Sequence, residues 1–328
     1  MAKKLNIGFI GGTGRCGTSI LRRIIASHSQ VAALPTEYKL TIEPEGVIDY
    51  YNSFSSSWSP YLADQKLKRL ESFLYSLSSK SIVDKSINYL LRIFSIFGIP
   101  ITPKVYLDLE LSRSIPSYLH HVDTLINELT DFTYSANRLG MDSYILHPKI
   151  RYASFATKSE LQPVFKKFIS NIIRDFLQHQ KKDFFIEDNT WNILFANDLL
   201  QILPDAKFIS IIRDPRDVVT SLANQPWMPN DKTKVAIIYN DIMSHWLEIQ
   251  TKLPVNRWIQ IKLEDLTRTP EKELKNICSF LELPWEAQLL EIDLTKSNSG
   301  RWKKEIHNHE TKQVLSLLQE NIELLGYE

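Results

Sequence analysis

The sequence predicts an α/β fold built on a central parallel sheet, with a large helical insertion. Three observations predict it. First, an apolar run (Ile7, Phe9, Ile10) enters a glycine-rich loop, GGTGRCGTS, and then an apolar-periodic segment with Ile20, Leu21, Ile24 and Ile25. Second, a continuous apolar run at 207–212 (KFISII) leads straight into a capped helix, as strands buried on both faces do. Third, residues from about 41 to 183 carry helical periodicities and no convincing strand.

The first loop is the most informative element. A strand, a glycine loop and a helix start present unpaired backbone N–H groups and a positive helix end to an anion. Gly12, Gly14 and Gly17 spell G-x-G-x-x-G, and Glu37 lies where a dinucleotide site carries its acidic ribose ligand. The same residues read Gly12-x4-Gly17-Thr18-Ser19, a Walker-type loop with Thr18 in place of the lysine. Without that lysine an ordinary NTPase loses its contact to the β/γ-phosphates. Arg15, a fixed cation inside the loop, suits a second anionic group beside a phosphate. The loop alone leaves the ligand open.

Further along, 30–34 (QVAAL) predicts a second strand stopped by Pro35. Thr36-Glu37-Tyr38-Lys39 then falls beyond that strand's C-terminal end, where open α/β sheets place ligands. In the helical block, Leu67, Leu70, Phe73, Leu74 and Leu77 form one apolar face, and Leu161, Phe165, Phe168, Ile172 and Phe176 another. Ile87, Leu90, Leu91, Phe94 and Phe97 form a third, expected to pack in the core rather than to line substrate or membrane. Asp84, Lys85 and Arg92 rule out a transmembrane span there.

The α/β pattern resumes with a strand at 184–187 (FFIE) and a helix at 191–203 closed by Pro204. KFISII runs into Arg213-Asp214-Pro215-Arg216-Asp217, where Asp214 reads as N-cap, Pro215 as N1 and Asp217 as N3 of a helix carrying Ser221. A helix at 235–253 turns Ile238, Ile242, Trp246 and Leu253 inward, and 258–263 (WIQIKL) is a late strand. Thr269-Pro270-Glu271 opens a helix with Leu274, Ile277 and Leu281. A polar loop at 297–305 (SNSGRWKKE) precedes a last helix ending at Gly326.

At 328 residues the chain is expected to be one domain, its α/β core at 5–40 and 184–328 and its helical insertion between. Lys+Arg 39 against Asp+Glu 38 leaves no basic field to attract nucleic acid. Cys16 and Cys278 are too few for a disulfide scaffold and fit a reducing compartment. The start MAKKLNIGFIGG is already explained as the first strand, so a cytoplasmic protein without a transmembrane segment is expected.

On the strength of GTGRCGTS together with FISIIRDPRDVVTSL, the chain resembles the sulfotransferases that use 3′-phosphoadenosine 5′-phosphosulfate (PAPS), closest in motif style to tyrosylprotein-type and bacterial members. The first motif is similar to their 5′-phosphosulfate loop and the second to their 3′-phosphate motif. IKLEDLTRTPEKELKNICSFLELPW and SGRWKKE are similar to their late segment and to their nucleotide-covering loop. The likeness touches 5–39 and 184–328 and matches the helical block only loosely.

The resemblance implies a P-loop-like three-layer domain, no metal, and sulfuryl transfer from PAPS to a hydroxyl or amine, leaving adenosine 3′,5′-bisphosphate. It places the nucleotide on Gly12, Thr13, Gly14, Arg15, Cys16, Gly17, Thr18 and Ser19, with Arg15 stabilising the leaving phosphate. Arg213 and Ser221 match the 3′-phosphate ligands, and Arg301, Trp302 and Lys303 close over the nucleotide. The acceptor side falls to the helical insertion. PAPS needs two separate anion sites on one sheet edge, and two arginine-bearing helix starts supply them.

Thr36-Glu37-Tyr38-Lys39 resembles the Glu-x-Arg element of tyrosylprotein-type members, with one residue inserted and Lys39 for the arginine. Glu37 is thereby the expected general base, Lys39 its catalytic neighbour, and Glu43 the reserve. Many relatives carry a lysine just after the strand matching FFIE, whereas Glu187-Asp188-Asn189-Thr190 has none, and Gly300 stands where tyrosylprotein-type members have a serine. None of the eight histidines follows a Lys-Thr motif, and His147 reads as a loop residue. The expected partner is a small alcohol or phenol, with a glycan or peptide tyrosine second and a homodimer allowed for. Two other readings stay open: a NAD(P)-binding oxidoreductase and a non-catalytic nucleotide-binding relative.

Overall fold

The computed structural model describes residues 5–78, 82–98, 109–136, 149–292, 294, 299–305 and 308–327; His147 and Ser297 lie outside them. The chain divides into two compact units, Met1–Glu37 with Lys182–Glu328, and Tyr38–Lys181.

The first unit starts with β1 (Asn6–Gly12), α1 (Thr18–Ala26) and a short β2 (Val31–Ala33). The second unit then follows as α2 (Val47–Ser56), α3 (Pro60–Ser76), α4 (Ile82–Ile96), α5 (Leu111–Ser114) and α6 (Tyr118–Glu128), an antiparallel pair of β3 (Phe132–Ser135) and β4 (Lys149–Tyr152), and α7 (Lys158–Gln180). Back in the first unit, β5 (Phe184–Glu187) leads through a 3-10 turn (Thr190–Phe195) to α8 (Ala196–Ile202) and β6 (Lys207–Ile212). There follow α9 (Pro215–Ala223), α10 (Lys232–Gln250), β7 (Trp258–Lys262), α11 (Leu263–Arg268), α12 (Pro270–Leu281), α13 (Trp302–Glu305) and α14 (Asn308–Leu324).

The first unit's sheet has the order β2-β5-β1-β6-β7, and every neighbouring pair is parallel. Alternate residues serve its two faces. Ile10, Ile186, Ile209 and Ile261 pack with Leu21, Ile24 and Ile25 of α1 and with Leu274, Ile277 and Leu281 of α12. Phe9, Phe185 and Phe208 point to the opposite face, where the rings of Phe9 and Phe208 stack at 5.2 Å. Both faces are covered, which is why these strands read as continuous apolar runs. Each such side chain adds about 1.5–3 kcal/mol of burial. The α/β class with a central parallel sheet is therefore as the sequence implies.

In the second unit, α7 starts at a capping box formed by Thr157 and Glu160, and its expected apolar face (Leu161, Phe165, Phe168, Ile172, Phe176) is buried. The Arg151 backbone N–H donates to Asp64 at 3.0 Å and its guanidinium pairs with Glu71, fixing β4 to α3. No described helix is long and apolar enough to cross a membrane.

Four expectations need correction. The helical block contains strands after all, the β3–β4 pair, in which Phe132 stacks on Tyr152 across the ladder at 4.8 Å. The apolar face of α4 is not core: Ile87, Leu90, Phe94 and Phe97 are exposed. Helical periodicity reports that a face is apolar and not what meets it. Residues 191–203 are a 3-10 turn and then a helix, because Asn192 is drawn inward to the Ile10 carbonyl (3.1 Å) and to Glu187. Finally, α10 buries Tyr239 and Met243 where Ile238 and Ile242 were expected, a rotation of one residue that seats the large ring; Trp246 and Leu253 are buried as expected.

Candidate active site

All strands of the sheet run the same way, so their C-terminal ends share one edge. The β1 end carries the glycine loop, the β6 end carries Arg213, the β5 end Asp188, and the β2 end leads to Glu37. The chain leaves β1 toward β2 and leaves β6 toward β7, so the crevice between β1 and β6 is a topological switch point, the usual place for a ligand.

The loop is shaped by backbone conformations that open it to an anion. Gly14 (φ 85) and Arg15 (φ 53) are consecutive positive-φ residues that turn the chain sharply, and Gly17 (φ 104) caps α1 without any side-chain bond. Gly12 lies so close to β6 that a Cβ there would sit 2.5 Å from the Ile211 carbonyl oxygen and 2.3 Å from the Cys16 sulfur. The Cys16 side chain is itself fully buried beneath the loop. Burial pushes its thiol up, against a smaller opposite pull from nearby backbone groups of Thr13, Gly14, Cys16 and Thr18. Cys16 thus offers the loop a neutral anchor and leaves only its backbone for a ligand. Thr18 is buried, and Ser19 is exposed at the start of α1.

The second anion site adjoins the first. Asp214 caps α9, its Oδ1 accepting the Arg216 N–H at 2.9 Å, with Pro215 next. Arg213, nearly buried, donates from Nη1 to the Arg15 carbonyl (3.2 Å), and its Nη2 lies 3.5 Å from Asp217 Oδ2. In return, Arg15 Nε donates to the Ser221 hydroxyl at 3.2 Å. Residues 206 positions apart in sequence thus join the loop to α9. Two nine-residue helices start on this edge, each with an arginine, so the edge can bind two phosphate-like groups side by side.

The segment 299–305 docks on the same helix. Asp217 accepts the Gly300 N–H at 2.7 Å and the Trp302 N–H at 2.9 Å. The Arg216 guanidinium lies over the Trp302 ring at 4.4 Å, Asn224 reaches Glu305 at 3.2 Å, and Arg301 pairs with Glu305. Arg301, Trp302 and Lys303 are therefore brought to α9 beside Arg213 and Ser221. Asp217, read from sequence only as a helix-start residue, is the common partner of Arg213 and of the Gly300 and Trp302 amides.

At the β5 end, Asp188 is buried and ion-paired to Arg22 Nε at 3.0 Å. Arg22 also donates to the Leu34 carbonyl (2.8 Å), just before the turn that carries half-buried Glu37. Burial pushes the Asp188 carboxyl up, Arg22 pulls it down, the charge of Glu37 pushes it up further, and the Ser19 hydroxyl bond again lowers it. Arg22 and Asp188 were missed because neither follows a motif; a charged residue on the inner side of α1 was the only signal. Lys39 belongs to the second unit, where it pairs with Glu43 at 2.9 Å.

The Asp188 shift has a testable sign. A raised carboxyl pKa means that the folded chain keeps a proton the unfolded chain has already lost. The associated stability is present below the unfolded value and is lost as pH rises through the folded one. Asp188→Asn cannot make that transition, so its melting temperature relative to the parent should climb as pH rises above the ordinary aspartate range. A pH-independent difference would show that Asp188 titrates as in the unfolded chain.

The edge is ill suited to a dinucleotide. In the dinucleotide fold the second strand lies beside the first, so that its acidic end reaches the ribose. Here β5 separates β2 from β1, placing that end two strand spacings, roughly 10 Å, from β1 instead of one.

A model of the sulfotransferase family matches residues 102–287, more than half of the chain. The sulfotransferase domain of the Synechococcus PCC 7002 olefin synthase is similar in fold, with TM-score 0.51 and 17% identity over 99% of this chain and 96% of that one. A sulfotransferase domain from the curacin biosynthetic pathway has TM-score 0.48 and 13% identity, covering 96% and 98%. An uncharacterised protein of Aquifex aeolicus (strain VF5) is 29% identical over 116 residues, which are 32% of this chain and only 15% of that protein.

Proposed function

The chain belongs to the sulfotransferase family, and we propose that it moves the sulfuryl group of PAPS to an acceptor hydroxyl. The observation that carries this reading is the pairing of two helix N-termini across the β1–β6 crevice, linked by the Arg15–Ser221 and Arg213–Arg15 contacts. PAPS carries a 5′-phosphosulfate and a 3′-phosphate on one nucleoside, which is the charge pattern this edge complements. The amides of residues 14–19 and the hydroxyls of Thr18 and Ser19 hold the 5′-phosphate; Gly12, Thr13 and Cys16 shape the loop. Arg213 and Ser221 take the 3′-phosphate, and Arg301, Trp302 and Lys303 cover the nucleotide.

In the reaction, Glu37 takes the acceptor proton, the acceptor oxygen bonds to sulfur, and the bond from sulfur to the 5′-phosphate oxygen breaks. Arg15 stabilises the charge that grows on the departing phosphate. Positioning and fixed positive charge do most of the work, as in phosphoryl transfer. Lys39 assists Glu37 in this scheme, with Glu43 as the alternative base. The whole chain then acts as one catalytic domain, the second unit supplying the acceptor side. A small alcohol or phenol is the favoured acceptor, with a glycan or peptide tyrosine second; the balanced net charge speaks against a polyanionic glycan. A cytoplasmic setting fits Cys16 and Cys278, both free and buried.

The test is transfer itself. Incubation with PAPS labelled in its sulfur, against a panel of aliphatic alcohols, phenols, tyrosine peptides and glycans, should give one labelled ester class and an equal amount of adenosine 3′,5′-bisphosphate. Binding of the bisphosphate without any transfer across that panel would replace this reading with a nucleotide-binding relative that has lost catalysis.

A further inference from the structure

Asp217 stands where a carboxylate is least expected. It lies at the third position of α9, the helix whose N-terminus, on the reading above, faces the 3′-phosphate, and it is fully buried. A bare negative charge there would repel the phosphate and compete with it for Arg213. Three donors neutralise it: Arg213 Nη2 at 3.5 Å, the Gly300 N–H at 2.7 Å and the Trp302 N–H at 2.9 Å. Two of the three come from the segment 299–305. Undocking of that segment strips the carboxylate of both amides and leaves Arg213 as its partner among these three.

We propose that Asp217 is a positioning residue that couples docking of the Gly300–Trp302 segment to capture of the 3′-phosphate by Arg213. With the segment docked, the two amides offset most of the Asp217 charge, so Arg213, 3.5 Å away, is held only weakly by it and can turn to the phosphate. With it undocked, Asp217 claims Arg213 and adds repulsion, so the nucleotide leaves. The coupling is reciprocal: the 3′-phosphate draws Arg213 from Asp217, and the carboxylate then binds the two amides more strongly. Trp302 on Arg216 and the Asn224–Glu305 bond set the segment's position, so the switch has a defined docked state. This inference rests on the PAPS reading and names the residue that regulates nucleotide retention.

The experiment compares the parent chain with Asp217→Asn, Trp302→Ala and the double variant, each first checked for an unchanged ligand-free melting temperature. Calorimetry with adenosine 3′,5′-bisphosphate and with adenosine 5′-phosphate reads affinity; trypsin cleavage after Arg301, Lys303 and Lys304 reads docking. Asp217→Asn should lose affinity for the bisphosphate within the 5- to 150-fold typical of coupled sites, change little toward the 5′-phosphate, and abolish protection from trypsin by the bisphosphate. The double variant should lose little more than either single one. Equal or tighter bisphosphate binding by Asp217→Asn, an equal loss for both ligands, or losses that multiply in the double variant would overturn the coupling. Should Asp217→Asn fail to fold, Trp302→Ala decides by the ratio of its two losses: a loss for the bisphosphate exceeding that for the 5′-phosphate upholds the coupling, and equal losses overturn it. Absence of bisphosphate binding by the parent chain would instead strike at the PAPS reading itself.

Discussion

Arg213→Ala should lower affinity for adenosine 3′,5′-bisphosphate on the order of 30- to several-thousandfold, equivalent to about 2–5 kcal/mol for removing one partner of a buried charge contact. Affinity for adenosine 5′-phosphate should fall far less. The expectation follows from where Arg213 sits: at the C-terminal end of β6, nearly buried, beside the start of α9 and Ser221. Its side chain also holds the Arg15 carbonyl at 3.2 Å, so part of the loss will be shared by both ligands through the loop. The ratio of the two losses isolates the 3′-phosphate. Arg213→Lys keeps the charge without the planar fork and should fall between the parent and Arg213→Ala. Equal losses for both ligands, read by calorimetry, would place the 3′-phosphate site elsewhere.

Glu37→Gln should cut kcat by about 10²–10⁴, the usual contribution of a positioned base, while bisphosphate affinity stays within about twofold. Glu37 lies past the end of β2, two strands from the glycine loop proposed to hold the nucleotide, so the chemistry and the binding can be separated. Its neighbour Asp188, whose carboxyl burial pushes up, is held by Arg22 at 3.0 Å. Steady-state turnover with PAPS and the best acceptor checks this. Unchanged turnover would shift the base to Glu43 or to Asp188, and a parallel fall in nucleotide affinity would make Glu37 a binding residue.

The strands at the heart of the sheet were legible because both of their faces are buried, so that Ile7–Ile10, Phe184–Ile186 and Phe208–Ile212 leave no polar interruption except Gly8 and Ser210. The start of α9 was legible because its cap is local chemistry: Asp214, then Pro215, each acting within two residues. The β3–β4 pair escaped notice for the opposite reason. FTYS and KIRY are short, and all of β3 is exposed; only the alternation of Phe132 with Tyr134 and of Ile150 with Tyr152 hinted at strands. The exposed face of α4 has the same periodicity as a core face, so sequence could not tell the two apart. Tertiary partners were hidden altogether. Nothing local to Asp217 reveals Gly300 and Trp302, and nothing local to Arg22 reveals Asp188.

On this proposal the sheet edge holds a nucleotide by two phosphates, one on the glycine loop and one on Arg213 and Ser221. Calorimetry of the whole chain with adenosine 3′,5′-bisphosphate, NADPH and ATP tests it most directly. Tight binding of the bisphosphate, with NADPH and ATP weaker by at least about tenfold, is the predicted result. Tight binding of NADPH without the bisphosphate would contradict it.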